Sequence, residues 1–355
     1  MSRRIFISDI HMSAGLGLNP PSGQFPWEWF SEADLARMTW FLEHLLQSHQ
    51  TDPIDEVVLL GDVFDNWVFP HDMKPPTLAE ILASPRLKPV YERLNRLSEA
   101  CGMLFLPGNH DYSLTHLQLM SVLPRVGFGG RGVDCPQFAS GQLLAEHGNG
   151  KALFCSPDPQ RQDALPLGYF ISRLAATASR RTGSHDPNAR VVAQVLIHGF
   201  AKETIAQEVV DAVARMAGVD DSTQILMPED FWGGKTTTVG AVKATYAKLF
   251  SEFERRHGLI GTAIAVPAET GNLAPLADSY LLRSGTRLVV MGHTHGATVQ
   301  QFDYLKKAAY VNSGCWCGGT RKAGWVEVRK DDRGHYTISV KIGRASCRER
   351  VYHPV

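Results

Sequence analysis

The chain of 355 residues carries no net charge, because 36 lysine and arginine residues balance 36 aspartate and glutamate residues. A zero total gives no electrostatic footprint of the kind that attracts nucleic-acid backbones, so we expect no nucleic-acid partner, although a local basic groove could be hidden in a neutral total. The sequence also lacks any apolar run of membrane-spanning length, which excludes a transmembrane helix as an expectation.

Cysteine is scarce. The six cysteines are scattered along the chain: Cys101, Cys135, Cys155, Cys315, Cys317 and Cys347. Scattered cysteines in a chain of this length are typical of a reducing compartment rather than of a disulfide framework. Cys315 and Cys317 form a single C-x-C pair, to which we give little weight because a thiolate metal site needs a second pair. Residues 1–4 run directly into a β-prone segment, so we expect no signal segment and a cytoplasmic location.

Residue types that bind divalent metals are present in five short segments far apart in sequence. These segments are Asp9–His11, Gly61–Asp65, Gly108–Asp111, His147–Gly148 and Gly292–His295. Together they supply carboxylate, imidazole and amide oxygen, a mixture that suits a pair of ions such as Mn²⁺, Fe or Zn²⁺. Such a collection indicates hydrolysis at phosphorus.

Each segment comes directly after an apolar run of strand length. The runs are Arg3–Ser8, Asp55–Leu60, Met103–Leu106, Gln142–Ala145 and Arg287–Met291. In open α/β sheets, ligands gather beyond the carboxyl ends of the strands, so distant residues can converge at one rim. Glycines beside the motifs fit this arrangement because the chain must turn sharply there without a Cβ in the way.

The order of the motifs, D-x-H, G-D-x-x-D, G-N-H-D, H and G-H-x-H, resembles that of the calcineurin-like metallophosphoesterases. All five motifs are present and in sequence, and the resemblance covers most of the chain outside a central insertion. It implies an α/β fold, a two-sheet α/β/β/α sandwich flanked by helices, and two divalent metal ions. Mn²⁺ is the expected metal, with Fe, Zn²⁺ and Mg²⁺ as alternatives.

The resemblance also implies roles for the motif residues. One ion would be held by Asp9, His11 and His295, and the other by Asn109, His147 and His293. Asp62 would bridge the ions, because two divalent cations about 3.5–4 Å apart need shared negative charge between them. The pair would provide a bridging hydroxide for in-line attack on phosphorus.

His110 lies beside a ligand in the motif, but in the family this position acts near the scissile bond. We assign it as the general acid, with Asp65 as the partner that holds its tautomer. For Asp111, a structural hydrogen-bond role is at least as well supported as a catalytic one.

His198 competes with His147 for the fourth motif, because it too ends an apolar run and is followed by glycine. The segment Ala189–Met216 that contains it lacks strict alternation and continues with helical spacing. We therefore interpret His198 as a buried helical histidine. His147 follows a run of strand length, as the other predicted ligands do.

Two insertions are expected to shape the substrate site. The loop Ser13–Phe30 follows the first ligands and contains four aromatic residues, which either form a wall against the substrate or anchor the loop to the body. The longer insertion has helical patterns at Leu167–Ser179, Ala189–Met216 and Val239–Arg256, typical of a cap that excludes water or, alternatively, of a dimer surface. A basic bias in it could supply phosphate-binding side chains, from Arg161, Arg173, Arg180, Arg181, Arg190 and Lys202.

These patterns divide the chain into a metallophosphoesterase core of residues 1–155 and 283–341, a helical cap insertion of residues 156–282, and a tail of residues 342–355. The tail has no hydrophobic periodicity and an odd basic makeup. We expect that it is not native.

The function predicted from these observations is metal-dependent hydrolysis of a phosphoester, with a small or lipid-linked substrate. One alternative is a pyrophosphate hydrolase like the lipid A pathway enzyme that cleaves UDP-diacylglucosamine, although that enzyme has arginine where this chain has His110 and its insertion is shorter. A second is a nuclease-type phosphodiesterase, which would need a continuous basic groove. A non-catalytic scaffold would have eroded motifs, and here all the ligand types are present.

Overall fold

The structure is a computed structural model. It describes residues 2–129, 136–156, 165–183, 203–229, 232–269, 271–283, 285–302, 308–317, 323–342 and 349–352. The predicted ligand His147 lies within these ranges. Its competitor His198 lies outside them, as do three of the basic residues of the insertion: Arg161, Arg190 and Lys202.

The strands of the described residues form two large sheets and a small hairpin. In chain order they are β1 (Ser2–Ile7), β2 (Glu56–Leu60), β3 (Gly102–Leu106), β4 (Gly127–Phe128), β5 (Gln137–Ser140), β6 (Leu143–Glu146), β7 (Gln224–Leu226), β8 (Thr236–Thr238), β9 (Leu288–Met291), β10 (Thr298–Phe302), β11 (Ala308–Asn312), β12 (Gly324–Lys330), β13 (Tyr336–Ile342) and β14 (Glu349–Tyr352). The first sheet has the order β14-β13-β12-β1-β2-β3-β4, the second has the order β10-β11-β9-β6-β5, and β7 pairs with β8.

Within each sheet, the strands that precede the predicted ligands pair with one another in parallel. In the first sheet β1 pairs with β2 and β2 with β3 in parallel, and in the second β6 and β9 do the same. Parallel strands end at the same edge of a sheet, so the motifs after β1, β2 and β3 lie together. Those after β6 and β9 lie together at the edge of the second sheet.

Helices cover the outer faces of the sheets. In chain order they are α1 (Glu32–Thr51), α2 (Leu78–Leu82), α3 (Lys88–Ala100), α4 (His116–Met120), α5 (Leu167–Thr182), α6 (Ile205–Ala217), α7 (Val239–Thr245), α8 (Leu249–Glu269) and α9 (Ala274–Arg283). Short 3₁₀ turns occupy Pro85–Leu87, Asn149–Lys151 and Trp232–Gly234. Among the described residues, no helix is both long and apolar enough to cross a bilayer.

Alternation of side chains along the strands produces the layers. In β1, Ile5 and Ile7 pack into a core with α1 and α3, whereas Phe6 faces the core between the two sheets. In β9, Leu288 and Val290 belong to the core between the sheets, and Val289 and Met291 belong to a third core with α9. Since the central strands of both sheets are buried on both faces, the predicted two-sheet α/β/β/α sandwich is confirmed.

The segment between β6 and β9 contains α5 to α9 and the β7–β8 hairpin. Helices α5 to α8 share a hydrophobic core of their own, which also takes in Trp67 and Phe154. Helix α9 differs, because Leu276, Ala277 and Leu281 pack against the second sheet. The last helix of the predicted insertion thus serves the sandwich, and the division into core and cap otherwise stays a prediction.

Two expectations about individual elements can be compared with the structure. The segment Val239–Arg256 is not one helix, because α7 ends at Thr245 and α8 begins at Leu249, with a kink at Gly258 where φ is 69°. Residues 349–352 of the tail pair with β13 as an antiparallel strand. That the tail is not native stays a prediction.

Candidate metal centre

Side chains from opposite ends of the chain meet where the two sheets converge. Three groups of potential ligands have donor atoms within 4.8 Å of one another: His11 with His295 and Cys317, His11 with Asp62 and His110, and Asp62 with His147 and His293. Apart from Cys317, each of these residues belongs to one of the five motifs. The segments that the sequence separates by up to 284 residues are therefore neighbours in the fold.

The backbone at the motifs is strained. Among the described residues, the non-glycine residues with positive φ are Asp9, His11, Asp62, His293 and His295, with φ between 52° and 69°. Left-handed conformations of non-glycine residues cost of order 1–3 kcal/mol each and concentrate at functional sites. All five are predicted metal ligands, so the turns after β1, β2 and β9 aim these side chains at the expense of backbone strain.

Glycines let the motif segments approach closely. A Cβ at Gly61 would come within 2.5 Å of the His147 ring, and one at Gly108 would collide with the Asp62 carboxylate. A Cβ at Gly292 would collide with Ser8 and Asp9. The glycines of these motifs are thus required by the close approach of neighbouring ligand segments, in addition to the turn that was predicted for them.

The first half of the site contains Asp9, His11 and His295. Nε2 of His11 lies 3.0 Å from Nε2 of His295, which in turn is 3.4 Å from Oδ1 of Asp9. Nδ1 of His11 is 3.0 Å from a carboxylate oxygen of Asp65, which accepts its proton, so Nε2 is the ring nitrogen that faces His295. A cation at this point would replace the hydrogen bond between the two imidazoles.

The second half contains Asp62, His147 and His293. Nδ1 of His147 donates to the carbonyl of Leu60 at 2.9 Å, so Nε2 is the ring nitrogen that is directed at the site. That Nε2 has no hydrogen-bond partner, yet lies 3.0 Å from Oδ2 of Asp62. The same Oδ2 is 4.0 Å from Nε2 of His11, so the Asp62 carboxylate lies between the two halves.

Asn109 follows the same pattern. Its side-chain oxygen is buried and has no hydrogen-bond partner among the described residues. An unpaired buried acceptor costs about 1–3 kcal/mol, so such an atom calls for a partner that is not part of the polypeptide. The next residue, His110, donates its backbone N–H to Oδ1 of Asp62 at 2.8 Å, which places Asn109 beside the carboxylate between the two halves.

The charges of the site favour bound cations. Burial alone would lower the pKa of His147, but the neighbouring Asp62 and Asp9 carboxylates outweigh it and raise that pKa to about 10. Burial acts likewise on His11, and Asp65 with the other two carboxylates raises its pKa to about 9. The buried carboxylates therefore hold positive charge at these imidazoles, and metal ions fit the same field.

His110 and Asp65 lie together as predicted. Nδ1 of His110 is 3.0 Å from Oδ1 of Asp65, while Oδ2 of the same carboxylate faces His11. The Asp65 side chain is itself fixed, because Oδ1 accepts the backbone N–H of Trp67 at 2.7 Å. The ring of Trp67 stacks on His110, with centroids 4.3 Å apart and planes 26° from parallel. These contacts hold the orientation of His110.

Asp111 has a structural role. Its buried carboxylate accepts backbone N–H groups from Gly108 at 2.7 Å, from Val63 at 2.7 Å and from Phe64 at 3.2 Å. These bonds tie the loop after β3 to the loop after β2. Of the two readings of Asp111, the structure therefore supports the structural one.

The aromatic loop before α1 contains both of the predicted kinds of residue. Trp27 and Phe30 are buried, as anchors of the loop. Trp29 lies over the site, with its ring 5.0 Å from that of His11 and 5.6 Å from that of His295. Phe25 is 47% exposed. Trp29, which faces the site, and the buried residues Trp27 and Phe30, which anchor the loop, are thus different residues of one loop.

Three arginines of the insertion are engaged elsewhere. Arg173 is fully buried and donates to backbone carbonyls, among them those of Phe69 at 2.6 Å and Met73 at 2.6 Å. Arg180 forms a 2.7 Å ion pair with Asp72, and Arg181 donates to the carbonyl of Met216. The idea that these arginines bind a phosphate group therefore receives no support.

Sequence reasoning missed some residues that shape the site. The stacking partner Trp67 follows the G-D-x-x-D motif by two residues, and only this spacing could have indicated it. Asn312 was not among the predicted site residues, yet its side chain donates to the carbonyl of Gly292 at 2.6 Å and so positions the G-H-x-H loop. Cys317 was given little weight, and it lies beside His11 and His295.

Fold and site together define a metal-dependent phosphoester hydrolase. Residues 2–168 match the model of the calcineurin-like phosphoesterase family, which is the family that the motifs resemble. The match includes the first four motifs. The last motif, at Gly292–His295, lies beyond the matched range and joins the same cluster in space.

Solved structures were also compared with the chain. A dimetal phosphatase from Danio rerio is 10% identical, with 99% of this chain and 98% of that chain covered and a TM-score of 0.45. A conserved protein from Streptococcus pneumoniae, described as a predicted phosphoesterase, is 10% identical, with coverages of 99% and 97% and a TM-score of 0.34. GAP50 from Plasmodium is 8% identical, with coverages of 99% and 88% and a TM-score of 0.36. No curated protein matches the chain.

Proposed function

We propose that the chain hydrolyses a small or lipid-linked phosphoester at a centre of two divalent metal ions. Asp9, His11 and His295 would hold one ion, and Asn109, His147 and His293 the other. Asp62 would bridge them. The observation that carries this proposal is the convergence of imidazole and carboxylate donor atoms from distant motifs within 4.8 Å of one another, at His11 with His295 and at Asp62 with His147 and His293. Donor atoms in this arrangement are satisfied by cations.

The donor set determines which ions fit. Carboxylate, amide and imidazole ligands suit Mn²⁺, which we propose as the principal metal, and they also accept Fe, Zn²⁺ or Mg²⁺. When bound, the pair would activate a water molecule and neutralise charge on the phosphoryl oxygens. The polypeptide then has to position these ligands, hold a proton for the leaving group and limit access of water.

His110 is suited to hold that proton. Its Nδ1 faces the Asp65 carboxylate at 3.0 Å, which leaves Nε2 as the nitrogen that donates to the leaving oxygen. Burial would raise the pKa of Asp65, but the facing His110 and His11 outweigh it and hold the carboxylate ionised. The ionised carboxylate orients His110 through Nδ1, and Trp67 keeps the ring in place.

The position of Trp29 favours a substrate that carries an apolar or planar group next to the phosphorus. Its ring is only partly buried and lies across His11 and His295, so one side of the site is aromatic. A nuclease would need cationic side chains along a groove leading to the site, whereas Arg173, Arg180 and Arg181 are engaged elsewhere. We therefore retain a small or lipid-linked ester, and a cytoplasmic location, as the proposal.

A substrate panel tests this function. Phosphomonoesters, phosphodiesters and nucleoside-diphosphate esters are assayed with Mn²⁺, Mg²⁺ and Zn²⁺, for the wild type and for Asp62→Asn. We expect metal-dependent hydrolysis, with a loss of at least about 100-fold in the variant, since even the outer partners of metal ligands contribute 10- to 100-fold. The matched control is Glu92→Gln, which also replaces a carboxylate by an amide. Glu92 forms an exposed ion pair with Lys88 on α3.

The outcomes separate the alternatives. Activity that persists in Asp62→Asn rejects the bridging role, and loss of activity in Glu92→Gln shows a general defect instead. Turnover restricted to diesters removes the monoesterase interpretation. Turnover restricted to nucleoside-diphosphate esters supports the pyrophosphate hydrolase.

A further inference from the structure

The loop after β11 passes directly beside the first half of the site. The backbone N–H of Trp316 donates to the carbonyl of Asp9 at 2.9 Å, so the segment Ser313–Cys317 is fastened to the D-x-H motif. A second tie joins the hydroxyl groups of Ser8 and Ser313, 2.5 Å apart. These bonds fix where the following residue, Cys317, lies relative to the predicted ligands.

Cys317 is 2% exposed, and its sulfur lies within 4.8 Å of ring nitrogens of both His11 and His295. Nε2 of His11 is the ring nitrogen that faces this cluster, since Nδ1 is bound to Asp65. The cluster therefore contains two imidazoles and a thiol whose donor atoms converge on one point. Asp9, whose Oδ1 lies 3.4 Å from Nε2 of His295, adds a carboxylate.

We propose that Cys317 is a sulfur ligand of the ion held by Asp9, His11 and His295. The inference rests on the proposed two-metal centre and deepens it, because it makes the two halves chemically different. The half at Cys317 has nitrogen, oxygen and sulfur donors, whereas the half at His147, His293 and Asn109 has nitrogen and oxygen donors alone. Thiolate ligands select zinc-type ions, so the centre would take Zn²⁺ beside Cys317 and Mn²⁺ on the other side.

Cys315 provides the internal comparison. It lies two residues away in the same loop and is also buried, and its sulfur is 3.9 Å from the carbonyl of Cys317. Among the described residues, the clusters of convergent ligands include Cys317 and not Cys315. Position beside the histidines, rather than burial in this loop, distinguishes the proposed ligand.

Cobalt spectroscopy on the full-length protein tests the proposal without using activity. The metal-free wild type, Cys317→Ser and Cys315→Ser are titrated with Co²⁺. We expect visible ligand-field bands in all three proteins, and a near-ultraviolet sulfur-to-cobalt charge-transfer band in the wild type and Cys315→Ser that Cys317→Ser lacks. Competition titrations should show a loss of Zn²⁺ affinity of at least about tenfold in Cys317→Ser, by comparison with what outer-sphere partners contribute, and little change for Mn²⁺.

Each result has a defined meaning. Ligand-field bands without a charge-transfer band in the wild type overturn sulfur ligation and leave the metal centre standing. A charge-transfer band that persists in Cys317→Ser also overturns it. Absence of all bands in the wild type contradicts the proposed metal centre itself.

A wild-type measurement covers the case in which Cys317→Ser does not fold. X-ray absorption of the zinc-loaded wild type should contain a sulfur scatterer at about 2.3 Å. Nitrogen and oxygen scatterers alone at zinc would refute the proposal.

Discussion

At the scale of single residues, the site is organised by carboxylates that serve two partners each. Asp65 places one oxygen 3.0 Å from His11 and the other 3.0 Å from His110. Asp62 receives the N–H of His110 on one oxygen and faces His147 with the other. A ligand and the proposed acid are thereby oriented by the same group, so a change at Asp65 would affect metal binding and protonation together.

The role of His110 can be separated from metal binding by substitution. We expect His110→Gln to lower kcat by about 10²- to 10⁴-fold for an alkyl phosphate, the range contributed by general acid catalysis. The loss should be much smaller for a nitrophenyl ester, because this leaving group departs without a proton. Both rates are measured at saturating Mn²⁺, and the metal content per chain is determined in parallel.

Metal content provides the control for His110→Gln. It should match that of the wild type, because His110 is not among the proposed ligands. Equal losses for the two esters would show that His110 does not donate the proton. A loss of bound metal would show instead that it is a ligand.

At the scale of elements, the turns after the buried strands carry the function. Five strained residues occur in turns that begin at β1, β2 and β9, where the strand ends that lead into the turns are buried between the cores on the two faces of each sheet. Strain of this kind persists only where the surrounding structure over-determines it. Rigid strands thus hold the ligand turns in conformations that the turns alone would not adopt.

Two glycines of one loop test this account. A Cβ at Gly292 would meet Asp9 and Ser8, whereas a Cβ at Gly296 finds its nearest atom, the carbonyl oxygen of Thr294, at 3.8 Å. We expect Gly292→Ala to lower the free energy of unfolding by about 1–3 kcal/mol, the cost of overpacking, and to weaken metal binding. Gly296→Ala should behave like the wild type in thermal unfolding and metal titration. Equal behaviour of the two variants would contradict the close approach.

Which elements the sequence could predict follows from how local their signals are. The strands before Asp9, Asp62, Asn109, His147 and His293 were predicted because their signals, an apolar run and an adjoining glycine, lie within a short stretch of sequence. Helix α9 was predicted to be part of the insertion. Its packing against the second sheet is a tertiary contact, which the local sequence pattern does not reveal. The positions of Trp67 over His110 and of Cys317 beside His11 depend on tertiary contacts between separate segments, for which the sequence carries little signal.

At the scale of the whole molecule, the two sheets concentrate negative charge at their common edge. The carboxylates of Asp9, Asp62 and Asp65 are all buried there, close to the five imidazoles of His11, His110, His147, His293 and His295. Burying charges without partners costs several kcal/mol per ion, so the folded state needs cations at this edge. In the metal-free protein, protons on His11 and His147 provide this positive charge, and metal ions would replace them.

This replacement predicts how metal stabilisation depends on pH. The pKa of His147 is raised by Asp62 and Asp9 from 6.5 to about 10, so its proton stabilises the metal-free fold fully below pH 6.5. That contribution is lost as the pH rises through about 10. Since the bound ion has to displace this proton, the stabilisation by metal should increase steadily between pH 6.5 and pH 9.

Thermal unfolding measures the effect directly. At a fixed metal concentration equal to 100 times the Kd at pH 9, binding adds about 2.7 kcal/mol at that pH, which corresponds to a rise in Tm of roughly 4 °C for a chain of this size. We expect the difference in Tm between Mn²⁺-loaded and chelator-treated protein to be larger at pH 9 than at pH 6.5. Asp62→Asn removes the carboxylate that lies nearest to His147 and that raises the pKa of this residue, so the dependence of the Tm difference on pH should flatten. A difference in Tm that shrinks with rising pH would show that protons and metal ions do not compete for these histidines.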